Sequence, residues 1–132
     1  MAFAQFMGRM NSFLFISFAI VFGFFPEYPL QFLTNATIDS SSATIDIRAN
    51  YAGMSLAIGL FSLILLRLPN LLAQVLKFQS MVIGGLLSFR IVGLILDGSP
   101  TQTILLLLVI EIMFFILSLV AYFQVNGNHH SA

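Results

Sequence analysis

Cysteine and tryptophan are both missing from these 132 residues. Without cysteine there is no disulfide, no thiolate metal site and no thiol nucleophile. Without tryptophan, a belt of side chains at a membrane–water boundary must come from the 3 tyrosines and 15 phenylalanines. Charge is scarce as well: Asp, Glu, Lys and Arg make up 8% of the chain, against about 25% in soluble proteins. Five basic and five acidic residues cancel, which leaves no basic stripe of the kind nucleic acid binding needs. Histidine occurs only at His129 and His130. No apolar segment therefore offers a haem ligand, and the pair has no acid or cysteine beside it to complete a metal site. No cofactor and no metal are expected.

What is present is apolar. The chain is 59% hydrophobic with a mean hydropathy of +1.02, more than a soluble protein this small can hide from water. Lipid is the implied solvent. The length suffices for four spans of about 20 residues with short connections. The reading is one transmembrane domain over residues 1–132: an all-α, integral membrane four-helix bundle running up-down-up-down.

The spans are placed at residues 7–25, 47–68, 73–96 and 101–123. Pro26 stops the first. It is read as a retained anchor rather than a cleaved signal, because Pro26-Glu27-Tyr28-Pro29 follows it and no small-x-small site is near. Residues 26–46, with two prolines, three consecutive serines and three acids, read as an outer loop with at most a short turn around Leu30 to Leu33. Pro69 ends the second span. Asp97-Gly98-Ser99-Pro100 is a tight turn, since glycine permits positive φ and proline cannot continue a helix. Val125 to Ala132 reads as a polar tail. Arg9, Arg67 and Lys77 fall on the side of the termini, whereas Glu27, Asp39, Asp46 and Asp97 fall on the other, with Arg48 as its only flanking base. Both termini are therefore expected in the cytoplasm.

The stretch from Ser80 to Glu111 carries the chemistry. Two apolar segments meet at the Asp97 turn, and each holds one ionisable group well inside it. Arg90 is placed about 10 Å and Glu111 about 15 Å from that turn at 1.5 Å per residue. Charges at membrane depth are costly, so such a pair points to a functional site or to a structural ion pair. Asp97 is two turns from Arg90 on one face, and Arg48 enters the second span from the same side. Arg48, Arg90, Asp97 and Glu111 are the candidate ligand-binding residues, lining one crevice open to the outside. No catalytic set accompanies them. Small residues mark helix packing: Ser80, Gly84 and Ser88 recur every four residues, and Gly53, Gly59 and Gly93 are further candidates.

The succession Arg90-Ile-Val-Gly93, Asp97-Gly98-Ser-Pro100 and Glu111, with Arg48-Ala-Asn-Tyr-Ala-Gly53 before it, resembles a family of small bacterial four-helix membrane proteins known as domain of unknown function 4345. The resemblance runs from the first span to the fourth. Ala52 departs from it, standing where a second small residue, often glycine, is expected. The resemblance implies a bacterial cytoplasmic (inner) membrane protein and supplies no activity. More loosely, the size and plan are similar to DoxX-like membrane proteins, some of which are tied to quinone-linked redox chemistry.

Three functions follow from this reading. The favoured one is non-enzymatic: a bundle that binds a membrane lipid, a small polar ligand or a membrane protein partner, with the surplus positive charge of Arg48 and Arg90 over Glu111 facing an anionic or carbonyl-bearing head. The alternative is a quinone-linked redox component in which Glu111 relays protons. A small transporter or channel subunit is the third, weakened by the absence of an inverted repeat or a broken helix.

Overall fold

A computed structural model describes residues 1–98 and 100–129. Ser99 of the predicted turn and His130 to Ala132 of the predicted tail lie outside the described residues, as do the side chains of Asn128 and His129. The elements run in order as α1 (Ala2–Phe24), α2 (Glu27–Thr34), α3 (Ser41–Ile47), a π-helical segment (Arg48–Gly53), α4 (Met54–Leu65), a 3₁₀ turn (Pro69–Leu71), α5 (Leu72–Asp97) and α6 (Gln102–His129), with no strand among the described residues. The third helix, the π segment and α4 form one rod. Four rods are long and apolar enough to cross a membrane: Ala2–Phe24, Ser41–Leu65, Pro69–Asp97 and Gln102–Gly127. The chain is a multi-pass membrane protein built as a helical bundle.

The polar stretch before the second rod is more helical than its composition suggests. At its start, Glu27 sits in the first turn of α2, where a carboxylate favours the helix dipole. Asn35 closes that helix in the left-handed conformation at φ 57°. The Ser40 hydroxyl accepts from the Ala43 N–H at 3.1 Å, and this cap starts α3 at Ser41, ahead of the apolar run. A serine run looks like a loop in composition, yet its first member is a helix start. At the other end of the chain, α6 continues to His129, because Val125 is buried against the core and holds the last turns in place.

The bundle is organised around α1. It packs along α4 and also meets α5 and α6, while α5 and α6 pair with each other. Ala4, Met7, Leu72, Leu76, Ala121 and Val125 form a core at the end that both termini share. Away from that end the packing loosens. The buried residues of α5 stop at Ile83, and those described on α6 begin only at Ser118. The α1–α4 seam stays closed further along, through Ala19, Phe22, Ala52 and Gly59. On that seam Phe22 stacks on Tyr51 at 5.3 Å between ring centroids. Helix α2 bridges to the second hairpin, where the Thr101 hydroxyl donates to the Leu33 carbonyl at 2.7 Å.

The tightest approach is at Gly59. A Cβ there would lie 2.6 Å from Ile16 Cγ1 and 2.9 Å from the Ser12 carbonyl oxygen, whereas one at Gly85 would meet nothing within 4 Å. Backbone cannot yield as a side chain tip can. Gly59→Ala is expected to cost about 1–3 kcal/mol through overpacking, and Gly85→Ala to stay within about 0.5 kcal/mol of wild type. Reversible unfolding in mixed micelles measures both.

Candidate functional site

Arg90 and Glu111 meet. The Arg90 Nε donates to Glu111 Oε2 at 2.7 Å and Nη2 donates to Oε1 at 2.7 Å. This is the side-on, two-pronged geometry that a guanidinium offers a carboxylate. Contacts further down the hairpin explain the alignment. Gly84 faces the Phe115 ring so closely that a Cβ would lie 2.9 Å from Cε2. Running antiparallel from that contact, six residues up α5 reaches Arg90 and four back along α6 reaches Glu111. Their long side chains close the remaining offset of about 3 Å. The side chains are 23% and 13% exposed, so the pair is partly covered rather than sealed. Arg90 follows Ile83 by seven residues and Gln79 by eleven, which puts it on the face of α5 that turns toward the bundle interior.

The other two candidates are not tied to this pair. Arg48 Nε donates to the Gly23 carbonyl at 3.0 Å. Gly23 is next to last in α1, so Arg48 satisfies one of the orphan carbonyls at a helix end and places a cation where the dipole favours one. Asp97 is exposed, and its carboxylate folds back over Gly93, 3.7 Å from where a Cβ on that glycine would stand. Among the packing candidates, Gly59 and Gly84 are the close contacts. Ser80 is buried and donates to the Leu76 carbonyl, while Ser88 is exposed and donates to that of Gly84. Gly53 meets only the Arg48 carbonyl of its own segment, at 3.9 Å from a built Cβ. Ala52 is buried, its methyl 3.5 Å from a Cβ built on Gly23, so the departure from glycine at this position still gives an ordinary contact.

A second polar layer, not singled out by the sequence reading, lies in the packed end. Asn11, Ser12, Gln79 and Ser118 are each at most 1% exposed. Gln79 Nε2 donates to the Gly8 carbonyl and to Ser12 Oγ, both at 3.0 Å. Asn11 Nδ2 donates to Gln79 Oε1 at 3.3 Å and to Ser118 Oγ at 2.8 Å. The orientation of both amides is forced. The Gly8 carbonyl can only accept, so Gln79 must present its nitrogen there, and its oxygen must then receive the Asn11 nitrogen. This logic leaves Asn11 Oδ1 buried without a partner. Ser62 Oγ on α4 is also buried and unpartnered. Three rods, α1, α5 and α6, are thus stitched by neutral side chains about 16 Å along α5 from the charged pair. The only trace in the sequence is a set of isolated amides and hydroxyls within apolar segments, which composition cannot distinguish from surface polarity.

Two polar layers threaded through four apolar rods define a small helical membrane protein with an internal polar seam. Residues 3–122 match the family described as Domain of unknown function (DUF4345), and the chain belongs to that family. No curated protein and no solved structure matches it.

Removing one partner of an ion pair leaves the other charge uncompensated. Arg90→Met and Glu111→Met are each expected to cost about 3 kcal/mol, the low end for a buried pair because this one is partly exposed. The double variant should recover most of that loss, as read by a double-mutant cycle on unfolding in micelles. Gln79→Leu should cost about 1–3 kcal/mol in the same assay, because the Gly8 carbonyl and the Ser12 hydroxyl lose a donor and one Asn11 N–H loses its acceptor.

Proposed function

We propose that this protein is a non-enzymatic, ligand-binding bundle of the bacterial cytoplasmic (inner) membrane, with both termini on the cytoplasmic side. In this reading the Arg90–Glu111 pair lies at membrane depth and holds the polar head of a lipid-like or small polar ligand. The placement of charge supports the orientation: Arg9, Arg67 and Lys77 share the end of the termini, opposite Glu27, Asp39, Asp46 and Asp97.

One observation carries the ligand reading. The bridge to Glu111 uses Arg90 Nε and Nη2, which leaves the Nη1 donors of a fixed, partly exposed guanidinium without a carboxylate. The pair is neutral as a unit, so it favours a carbonyl-bearing head over a full anion. The loosened packing beyond Ile83 and Ser118 provides the way in. Arg48 and Asp97 stand nearer the outer end of the bundle as rim residues in this scheme, one clamped to α1 and one exposed.

The test is native mass spectrometry of protein purified in mild detergent. Wild type is expected to carry an adduct of discrete mass, and the Arg90→Met, Glu111→Met double variant to lose it while remaining folded. An adduct that survives in the double variant, or a bare wild-type protein, overturns the reading. A mass equal to a second polypeptide would assign the site to a partner subunit instead.

A further inference from the structure

A groove of about 480 Å³ runs along the outside of the α5–α6 hairpin, separate from the charged pair. Lys77 and Tyr122 line one end and Ile91 lines the other, with Gly84, Ser88 and Phe115 between them. Ion pairing does not engage Lys77, because no carboxylate bridges to it among the described residues. It is exposed, and it is the only lysine in the chain. The hairpin register places Tyr122 opposite it: each is seven residues from the Gly84–Phe115 contact, in opposite chain directions. An ammonium and a phenol thus stand level at one mouth of the groove.

The wall beyond them is carbon. Ser80 and Ser88 have hydroxyls, but both are turned back onto their own helix, to the Leu76 carbonyl at 2.8 Å and the Gly84 carbonyl at 2.7 Å. In the middle of the groove Gly84 makes room for the Phe115 ring, which adds to the carbon wall. From Lys77 to Ile91 the helix rises about 21 Å, longer than half of a hydrocarbon core about 30 Å thick. The dimensions suit one acyl chain of one leaflet. The charge at the mouth suits an anionic headgroup, and the neighbourhood reinforces it, since Arg9 and Arg67 share that end of the bundle and no acid does.

We infer that the α5–α6 groove is a binding site for an anionic phospholipid of the leaflet on the side of the termini. Its phosphate accepts from the Lys77 ammonium and the Tyr122 hydroxyl, and its acyl chain lies over Gly84 and Ser88 against Phe115. The site is independent of the Arg90–Glu111 ligand, because neither of those residues lines the groove.

The experiment embeds the full chain in nanodiscs of phosphatidylcholine with a minor fraction of phosphatidylglycerol and ejects it for native mass spectrometry. Wild type is expected to retain phosphatidylglycerol in preference to phosphatidylcholine. Lys77→Gln should lower that preference about fivefold, the value of one basic residue at an anionic surface. Tyr122→Phe should lower it less. Ser88→Phe, which puts a ring in the groove, should reduce retention of both lipids. Arg67→Gln, outside the groove, should lower the preference clearly less than Lys77→Gln does, and the Arg90→Met, Glu111→Met double variant should leave it unchanged. The inference is overturned if wild type shows no preference, if Lys77→Gln keeps it, or if Arg67→Gln lowers it as much as Lys77→Gln. The last result would mean that diffuse surface charge, and not the groove, selects the lipid.

Discussion

Inside hydrocarbon, an amide or a charge can be satisfied only by another part of the protein. The interaction on which the packed end of this bundle depends is the Gln79 side chain, seated between α1 and the rest. Its nitrogen reads a backbone carbonyl and its oxygen reads Asn11, so neither amide can be reversed without breaking a bond. Ser118 then brings in α6. Leu, Met and Ala contacts around this layer supply the area, but such contacts slide easily. The amides fix the rotation and height of the rods relative to one another. In the charged pair, a two-pronged bridge satisfies a guanidinium and a carboxylate that are only partly exposed.

The two layers divide the work. Around Gln79 the side chains are sealed and the rods are locked. Beyond Ile83 and Ser118, α5 and α6 bury nothing completely, although they remain joined to each other through Arg90 and Glu111. A bundle closed at one end and loosened at the other has a rigid base and an accessible seam. The α1–α4 seam does not share this looseness, because Gly59 brings its backbones together and Arg48 ties the far end of α1. The looser packing therefore lies on the α5–α6 side.

Much of this plan was legible in the sequence. Long apolar runs ended by prolines reveal the rods, and charges are so rare that Arg90 and Glu111 stand out. The Asp97 turn makes their helices neighbours, and the spacing brings them level. Other features left no such mark. Asn11 and Ser118 are 107 residues apart, and nothing local announces that two short polar side chains meet. Arg48 looks like one more member of a charged crevice until α1 is seen to end beside it. Helix α2 and the early start of α3 were hidden because short, proline- and serine-rich helices owe their existence to caps and tertiary contacts rather than to periodicity.

The position of α1 has a consequence for how the molecule comes together. Its first turns, at Ala4 and Met7, are covered by Ala121 and Val125 of the last helix. During synthesis α1 must wait, one side bare, until α6 has followed it into the bilayer. Until then Asn11 has no Ser118 to bond, and within the layer its amide has Gln79 alone to donate to. The packed end is therefore completed only when α6 arrives, and the bundle is most vulnerable just before that helix docks.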